Sequence, residues 1–230
     1  MRQLFPRLPH RSLGLVVQSD GLALAQASAA VQGQAQVQHW HWLALPKETK
    51  THVPLLAGWP DPAWVRHARQ RSGCQAQDVA LAIEDQRLRR LSLSLASGLG
   101  VREQVKAIEA ELSRQLPWTL ADTVWDFQAV PGPDNATLAA HNQRPAWLVA
   151  AMQAQAVQHI EVLATQRAWV AACEHWCRAA GLWLVRLEPK WQAEDRWRRL
   201  SPAPIQHDVE TMSPALQAQV GGLALGVLAP

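Results

Sequence analysis

The chain predicts an α/β fold, and three features of its 230 residues carry that prediction. As far as Leu45, apolar residues recur with the period of two that belongs to strands. From Asp61 onward, stripes with helical spacing appear, opened or closed by Pro or Gly. From Val79, strand and helix signals alternate, the order expected when helices cover the faces of a sheet.

Leu13–Gln18 is the first strand. Ser19-Asp20-Gly21 is turn chemistry, since Gly accepts positive φ and Asp bonds its own backbone, so Leu22–Ala27 returns as a hairpin partner. Gln34–Leu45 alternates again, with Ala35, Val37, His39, His41 and Leu43 assigned to one side and Gln36, Gln38, Trp40 and Trp42 to the other. The opening is therefore an antiparallel meander. Asp61 caps and Pro62 starts a helix that reaches about Ser72 and stops at Gly73. Val79–Ile83 is a buried strand, and Leu88, Leu91, Leu93 and Leu95 supply another. Gly100 leads into a helix with the stripe Val101, Val105, Ile108 and Leu112. Pro117 ends it by disfavouring helix at the residue before.

Val124–Val130 is a strand, Pro131–Arg144 a loop, and Pro145–Gln155 stays open between helix and strand. Ile160–Ala164 is a strand. Thr165 is placed as the cap of a helix carrying Trp169, Cys173, Trp176 and Ala180, closed by Gly181. Leu182–Leu187 is a strand, Trp191–Leu200 a short basic helix and Ser201–Met212 a linker. Ser213-Pro214 opens a last helix with Leu216, Val220, Leu223 and Val227 on one face.

Hydrophobic content of 48% against 18% charge is that of a globular chain. A formal charge of +3 demands neither nucleic acid nor anionic lipid. Three cysteines without paired spacing argue against a disulfide scaffold and for a reducing compartment. No apolar run approaches the ~20 residues that cross a bilayer, and Met1–Arg11 lacks the apolar core of a secretory signal. The expected location is cytoplasmic, at a membrane face through a partner. Twelve Trp and no Tyr put large apolar bodies with a single donor into cores and interface anchors.

Leu81–Val130 reads strand, strand, helix, a Leu116-Pro117-Trp118 elbow, then a strand containing Asp126-Phe127-Gln128. His159–Ala164, the helix to Ala180 and Gly181 to Pro189 follow, and Pro214–Gly226 closes. In that order the chain resembles the PilM family of type IV pilus assembly proteins, and is also similar to the cytoplasmic region of GspL from type II secretion platforms. The resemblance implies a partial actin-like, ribonuclease H-like fold: a first lobe at 1–76 and 156–230 with a small α/β subdomain inserted at 77–155. Between Lys190 and Ser213, where the family carries a second lobe, there is room here for one short helix and a linker.

The family's phosphate loop corresponds to Gly14, Val16, Gln18, Ser19, Asp20 and Gly21. Gly14 is kept. Val16 stands where a carboxylate organises Mg²⁺, Gln18 where a glycine lets backbone N–H groups reach phosphate, and Ala23 where a lysine would lie. The expectation is a degenerate ATPase with no cofactor, no metal and no catalytic residue. The resemblance further implies a scaffold that grips the short cytoplasmic N-terminal segment of a PilN-like inner-membrane protein. The elbow Leu116, Pro117 and Trp118 is the candidate wall of that peptide groove.

Other constellations weigh less. Cys173 and Cys177 share a helix face, but only two ligands converge where structural zinc needs four. His39 and His41 lie on one side of a strand without a third ligand. Arg196, Arg198 and Arg199, with Trp191 and Trp197, would suit anionic headgroups, although Glu194 and Asp195 dilute the charge. Arg87, Arg89 and Arg90 form a second cluster, and together the two allow a DNA-binding reading that predicts steep salt dependence. The expectation is no nucleic acid. Ser97-Gly98-Leu99-Gly100 is neither a nucleophile elbow nor a dinucleotide loop. A nucleotide-binding actin-like ATPase and a component of a type II secretion platform are the alternative functions.

Overall fold

A computed structural model describes residues 11–29, 35–45, 53–130, 157–200 and 212–228. The expectations for 131–155 and most of the 201–212 linker lie outside the described residues. The elements are β1 (Arg11–Val17), β2 (Gly21–Ala29), β3 (Ala35–Ala44), α1 (Pro62–Arg71), β4 (Asp78–Ile83), β5 (Arg89–Ala96), α2 (Val101–Gln115), β6 (Thr123–Val130), β7 (Val157–Gln166), α3 (Arg167–Ala179), β8 (Trp183–Pro189), α4 (Lys190–Leu200) and α5 (Pro214–Leu228).

The chain divides into two compact units: Met1–Asp85 with Ala171–Pro230, and Gln86–Val170. Backbone pairing sets these limits, and it moves the boundary from the one read in the sequence. β4 pairs with β1 and β8 in the larger sheet, while β7 is the middle strand of the smaller one. An apolar run such as Val79–Ile83 reads alike in either sheet; the partners that satisfy its N–H and C=O groups decide where it belongs.

The first unit holds a five-stranded sheet of order β3-β2-β1-β4-β8. β1, β2 and β3 are antiparallel and β1, β4 and β8 parallel. This is the ribonuclease H-like order of an actin-like first lobe. Its two faces differ in side-chain size. Leu13, Leu15, Leu22, Leu24, Val79 and Leu81 are buried on one, and Val16, Ala23, Ala25, Ala27, Ala80 and Ala82 on the other. The small face admits α5 at close range, packed through Leu216, Val220, Leu223 and Ala224. A Cβ at Gly14 would overlap the Val220 carbonyl oxygen and lie 2.7 Å from Ala224 N. The Ser12 hydroxyl donates to the Ala224 carbonyl at 2.5 Å.

The last helix is not the one-faced helix that its spacing predicted. Every residue from Val220 to Gly226 is buried, because α4 packs against α5 in addition to the sheet. A Cβ at Gly222 would overlap the Ala193 carbonyl. Glycine costs a helix about 1 kcal/mol relative to alanine, so packing, not propensity, holds Gly221, Gly222 and Gly226 in this one.

β3 departs from strict alternation. Ala27 pairs with Val37 and Gln26 with His39, leaving Gln38 as the extra residue of a bulge. Ala35 and Val37 therefore share the α5 side with Trp40 and Trp42, not the side of His39 and His41. One inserted residue reverses every assignment beyond it.

In the second unit β5, β7 and β6 form an antiparallel sheet. Leu91, Leu93, Ile160, Val162 and Ala164 pack with Ile108 and Leu112 of α2. Thr165 is not a helix cap: it lies in β7, and its hydroxyl donates to the Arg87 carbonyl at 2.8 Å. On the other face Glu161 is buried, paired with Arg90 and accepting from Gln128 Nε2 at 2.8 Å.

The predicted stripe of α3 is buried throughout: Trp169, Cys173, Trp176 and Ala180. Trp176 donates its indole N–H to the Pro60 carbonyl at 2.8 Å and meets Trp59 edge-on at 5.1 Å. Burial, then the nearby Glu174 carboxylate, pushes the Cys177 thiol up to about 12. Against an ordinary value of ~8.5, that lowers the thiolate fraction at pH 8 by roughly three orders of magnitude. Iodoacetamide at pH 8 is therefore expected to spare Cys177 in the native protein and to modify it in guanidinium. Equal modification in both, read by peptide mass, would contradict this packing.

Candidate functional site

The hairpin between β1 and β2 is where a phosphate loop would lie. It is closed by its own backbone. Gln18 N–H donates to the Gly21 carbonyl at 2.8 Å, and the Asp20 carbonyl accepts from Leu45 N–H at 2.8 Å. Gly21 is covered by the Trp42 indole, and a Cβ there would also lie 2.8 Å from the Leu43 carbonyl oxygen. Ser19 and Asp20 are exposed at the tip.

The residues that the resemblance sets at the metal and lysine positions face inward. Val16 and Ala23 are 0% exposed and belong to the apolar cluster with Val220 and Leu223. Gly14 serves the close approach of α5. A magnesium nucleotide needs a carboxylate for the ion's waters and free N–H groups for phosphate. Methyl groups at 16 and 23, beneath a helix, supply neither, so these residues do not fit that ligand.

The elbow after α2 is held in place. Leu116 leaves the helix with extended backbone while its N–H still bonds the Leu112 carbonyl at 2.9 Å, and its side chain packs against the second unit's core. Pro117 is exposed. Thr119 then caps a short turn, its hydroxyl donating to Asp122 Oδ2 at 2.7 Å and accepting from Asp122 N–H at 3.3 Å. Trp118 is half-buried, and its buried indole N–H has no hydrogen-bond partner among the described residues. Such a donor is costly to leave unmade.

The arginines of α4 separate into two kinds. Arg196 turns inward: it reaches Glu188 at 2.5 Å and the Gly222 carbonyl at 3.2 Å. Glu188 is 3% exposed and also lies 3.6 Å from Arg186, which donates to the Gly226 carbonyl at 2.8 Å. Arg196 is thus part of the clamp joining β8, α4 and α5, not a surface cation. Arg198 stays exposed, paired with Asp195 at 2.6 Å and Glu194 at 3.4 Å, and Arg199 donates to the Asp195 carbonyl. Trp197 meets Trp40 edge-on at 5.4 Å. Sequence reasoning missed Glu188; a lone carboxylate at the end of a strand, two residues after Arg186 and eight before a basic helical position, was the available signal.

His39 and His41 stack with ring centroids 6.3 Å apart. Burial, then the neighbouring His39, holds His41 below the ordinary imidazole value. No cluster of three or more His, Cys, Asp or Glu poised for a metal occurs among the described residues. Among them, no helix is long and apolar enough to cross a membrane.

No family model matches the sequence. No curated protein matches it either. Solved structures are similar to it. A structure described as the PilM-PilN type IV pilus biogenesis complex is similar over 80% of this chain and 48% of that one, at 19% identity and TM-score 0.57. The cytoplasmic domain of EpsL, an inner membrane component of the Vibrio cholerae type II secretion system, is similar over 80% of this chain and 58% of that one, at 13% identity and TM-score 0.47. A Bacteroides thetaiotaomicron protein described as having an actin-like ATPase fold and unknown function gives 8% identity and TM-score 0.32, over 83% and 56% of the two chains. This chain thus spans about half the length of the first of these structures, and its fold is the α/β, partial actin-like one that the sequence predicts.

Proposed function

We propose that this chain is a non-catalytic cytoplasmic scaffold of a type IV pilus assembly platform, and that it binds the N-terminal cytoplasmic segment of a PilN-like inner-membrane protein. One observation supports the non-catalytic part: Val16 and Ala23, which the resemblance sets at the positions of the metal carboxylate and the lysine, are buried and aliphatic. The shared fold with a structure of a PilM-PilN complex supports the partner class. Trp118 supports the contact, because its half-buried ring beside the exposed Pro117 offers an apolar wall that an extended peptide can cover. Arg198 and Arg199, still exposed, are the peripheral membrane contacts of this reading; Arg196 is not.

Titration calorimetry tests it. The N-terminal segment of a PilN-like protein is expected to bind, and Trp118→Ala, which removes the apolar wall, to weaken it about tenfold. Mg-ATP is expected to give a flat trace. Heat from Mg-ATP that saturates at one site would overturn the reading, as would a peptide that fails to bind.

A further inference from the structure

The outer edge of β3 has the construction of a docking site. β3 is the terminal strand of the larger sheet. Leu45 gives its N–H to the Asp20 carbonyl, and this fixes the phase of the ladder. With the register unbroken from Gly21↔Ala44 to Gln26↔His39, residues 39, 41 and 43 bond inward to β2. The N–H and C=O groups of Trp40, Trp42 and Ala44 point to the outer edge, which no described strand pairs. Proteins blunt such edges with charged residues, proline or bulges. Ala35–Ala44 contains no Lys, Arg, Asp, Glu or Pro, and its bulge, at Gln38, leaves the stretch from His39 onward regular.

Beside that edge runs a groove of about 550 Å³, lined on the strand side by His41, Leu43 and Ala44 and on the helix side by Trp64, Ala68 and Arg71. The size suits two or three apolar side chains. Its charge has one sign. Arg71 is exposed and forms no ion pair among the described residues, and no carboxylate lines the groove. His41 Nε2 is buried without a hydrogen-bond partner.

We infer that this groove takes an extended segment of a partner protein, which adds as a sixth strand along β3, sets alternate apolar side chains against Trp64 and Ala68, and places a carboxylate on Arg71. Outward backbone groups supply the affinity and the pocket and cation the specificity, the division of labour of strand addition. The inference does not depend on the pilus reading, because it concerns a different surface and a peptide chemistry of its own.

The test uses two fluorescein-labelled heptapeptides, Thr-Val-Thr-Val-Thr-Val-Glu and its Lys-ended twin, with anisotropy as readout on the full chain. The Glu-ended peptide is expected to bind about tenfold more tightly than the twin. Arg71→Glu is expected to reverse that preference. Ala44→Pro, which removes an outward donor and no ladder bond, is expected to weaken both peptides while circular dichroism and Tm stay as in the parent. Absence of binding, or binding indifferent to both substitutions, would overturn the inference. So would self-association of the chain that Ala44→Pro abolishes, since a second copy would then own the edge.

Discussion

Val16→Asp is expected to cost about 4 kcal/mol of stability at pH 7 and to create no magnesium site. In an actin-like phosphate loop that substitution would restore the missing carboxylate. Here residue 16 is fully buried among Ala23, Val220 and Leu223. Removing the valine forfeits about 2 kcal/mol of apolar burial. Putting a carboxyl among methyl groups adds a comparable penalty, even after the acid neutralises itself by taking a proton. The sign of the pH dependence follows. The folded state would hold the Asp protonated above its unfolded value of ~3.9, so the variant binds more protons folded than unfolded. Its deficit should shrink as pH falls toward ~4 and keep growing as pH rises until the folded carboxyl itself ionises. Urea denaturation at pH 5 and pH 8 checks this. A variant as stable as the parent, or one stabilised by millimolar Mg²⁺, would mean that residue 16 faces a site and not the core.

Where the sequence was legible, a local signal had only one physical meaning. Asp61-Pro62 does start a helix, with the Asp carboxylate accepting from Ala63 N–H at 2.8 Å. Gly73 and Gly181 do stop helices, with φ of 73° and 74°. Leu116-Pro117 does end α2. The apolar pattern of Leu22–Ala27 and Val79–Ile83 also gave a hairpin strand and a buried strand, and both are strands of the larger sheet. What it could not show was which face would meet a glycine-rich helix, because that depends on a contact with a segment far along the chain. The phosphate-hairpin residues were legible in their chemistry, but burial under α5 is a tertiary fact that no spacing encodes. The same holds for the arginines. Arg196, Arg198 and Arg199 look alike in a helix of that composition, and only the position of Glu188 on the neighbouring strand sends Arg196 inward. The β3 bulge failed to show because Gln38 is as polar as its neighbours, so a skipped residue left the pattern of the strand unmarked.

Gly222→Ala separates propensity from packing by its sign. A helix gains about 1 kcal/mol when alanine replaces glycine in its interior, so an isolated α5 would be strengthened. In the folded chain the new methyl would overlap the Ala193 carbonyl oxygen, with the carbonyl carbon at 2.6 Å and Cα at 3.1 Å. Those atoms are backbone of α4 and cannot swing aside. Separating the helices would stretch the Arg196 contacts to the Gly222 carbonyl and to Glu188, and a buried carboxylate that loses its cation is penalised heavily. The expected net loss is about 3 kcal/mol, measured by chemical denaturation. Gly226→Ala is the internal control. Its methyl would meet the guanidinium of Arg196 and, at 3.0 Å, that of Arg186, and side-chain ends can yield where backbone cannot. The order of destabilisation should therefore be Gly222→Ala well above Gly226→Ala. If both substitutions stabilised the chain, α4 and α5 would not cross this closely, and the clamp on Glu188 would have to be abandoned with them.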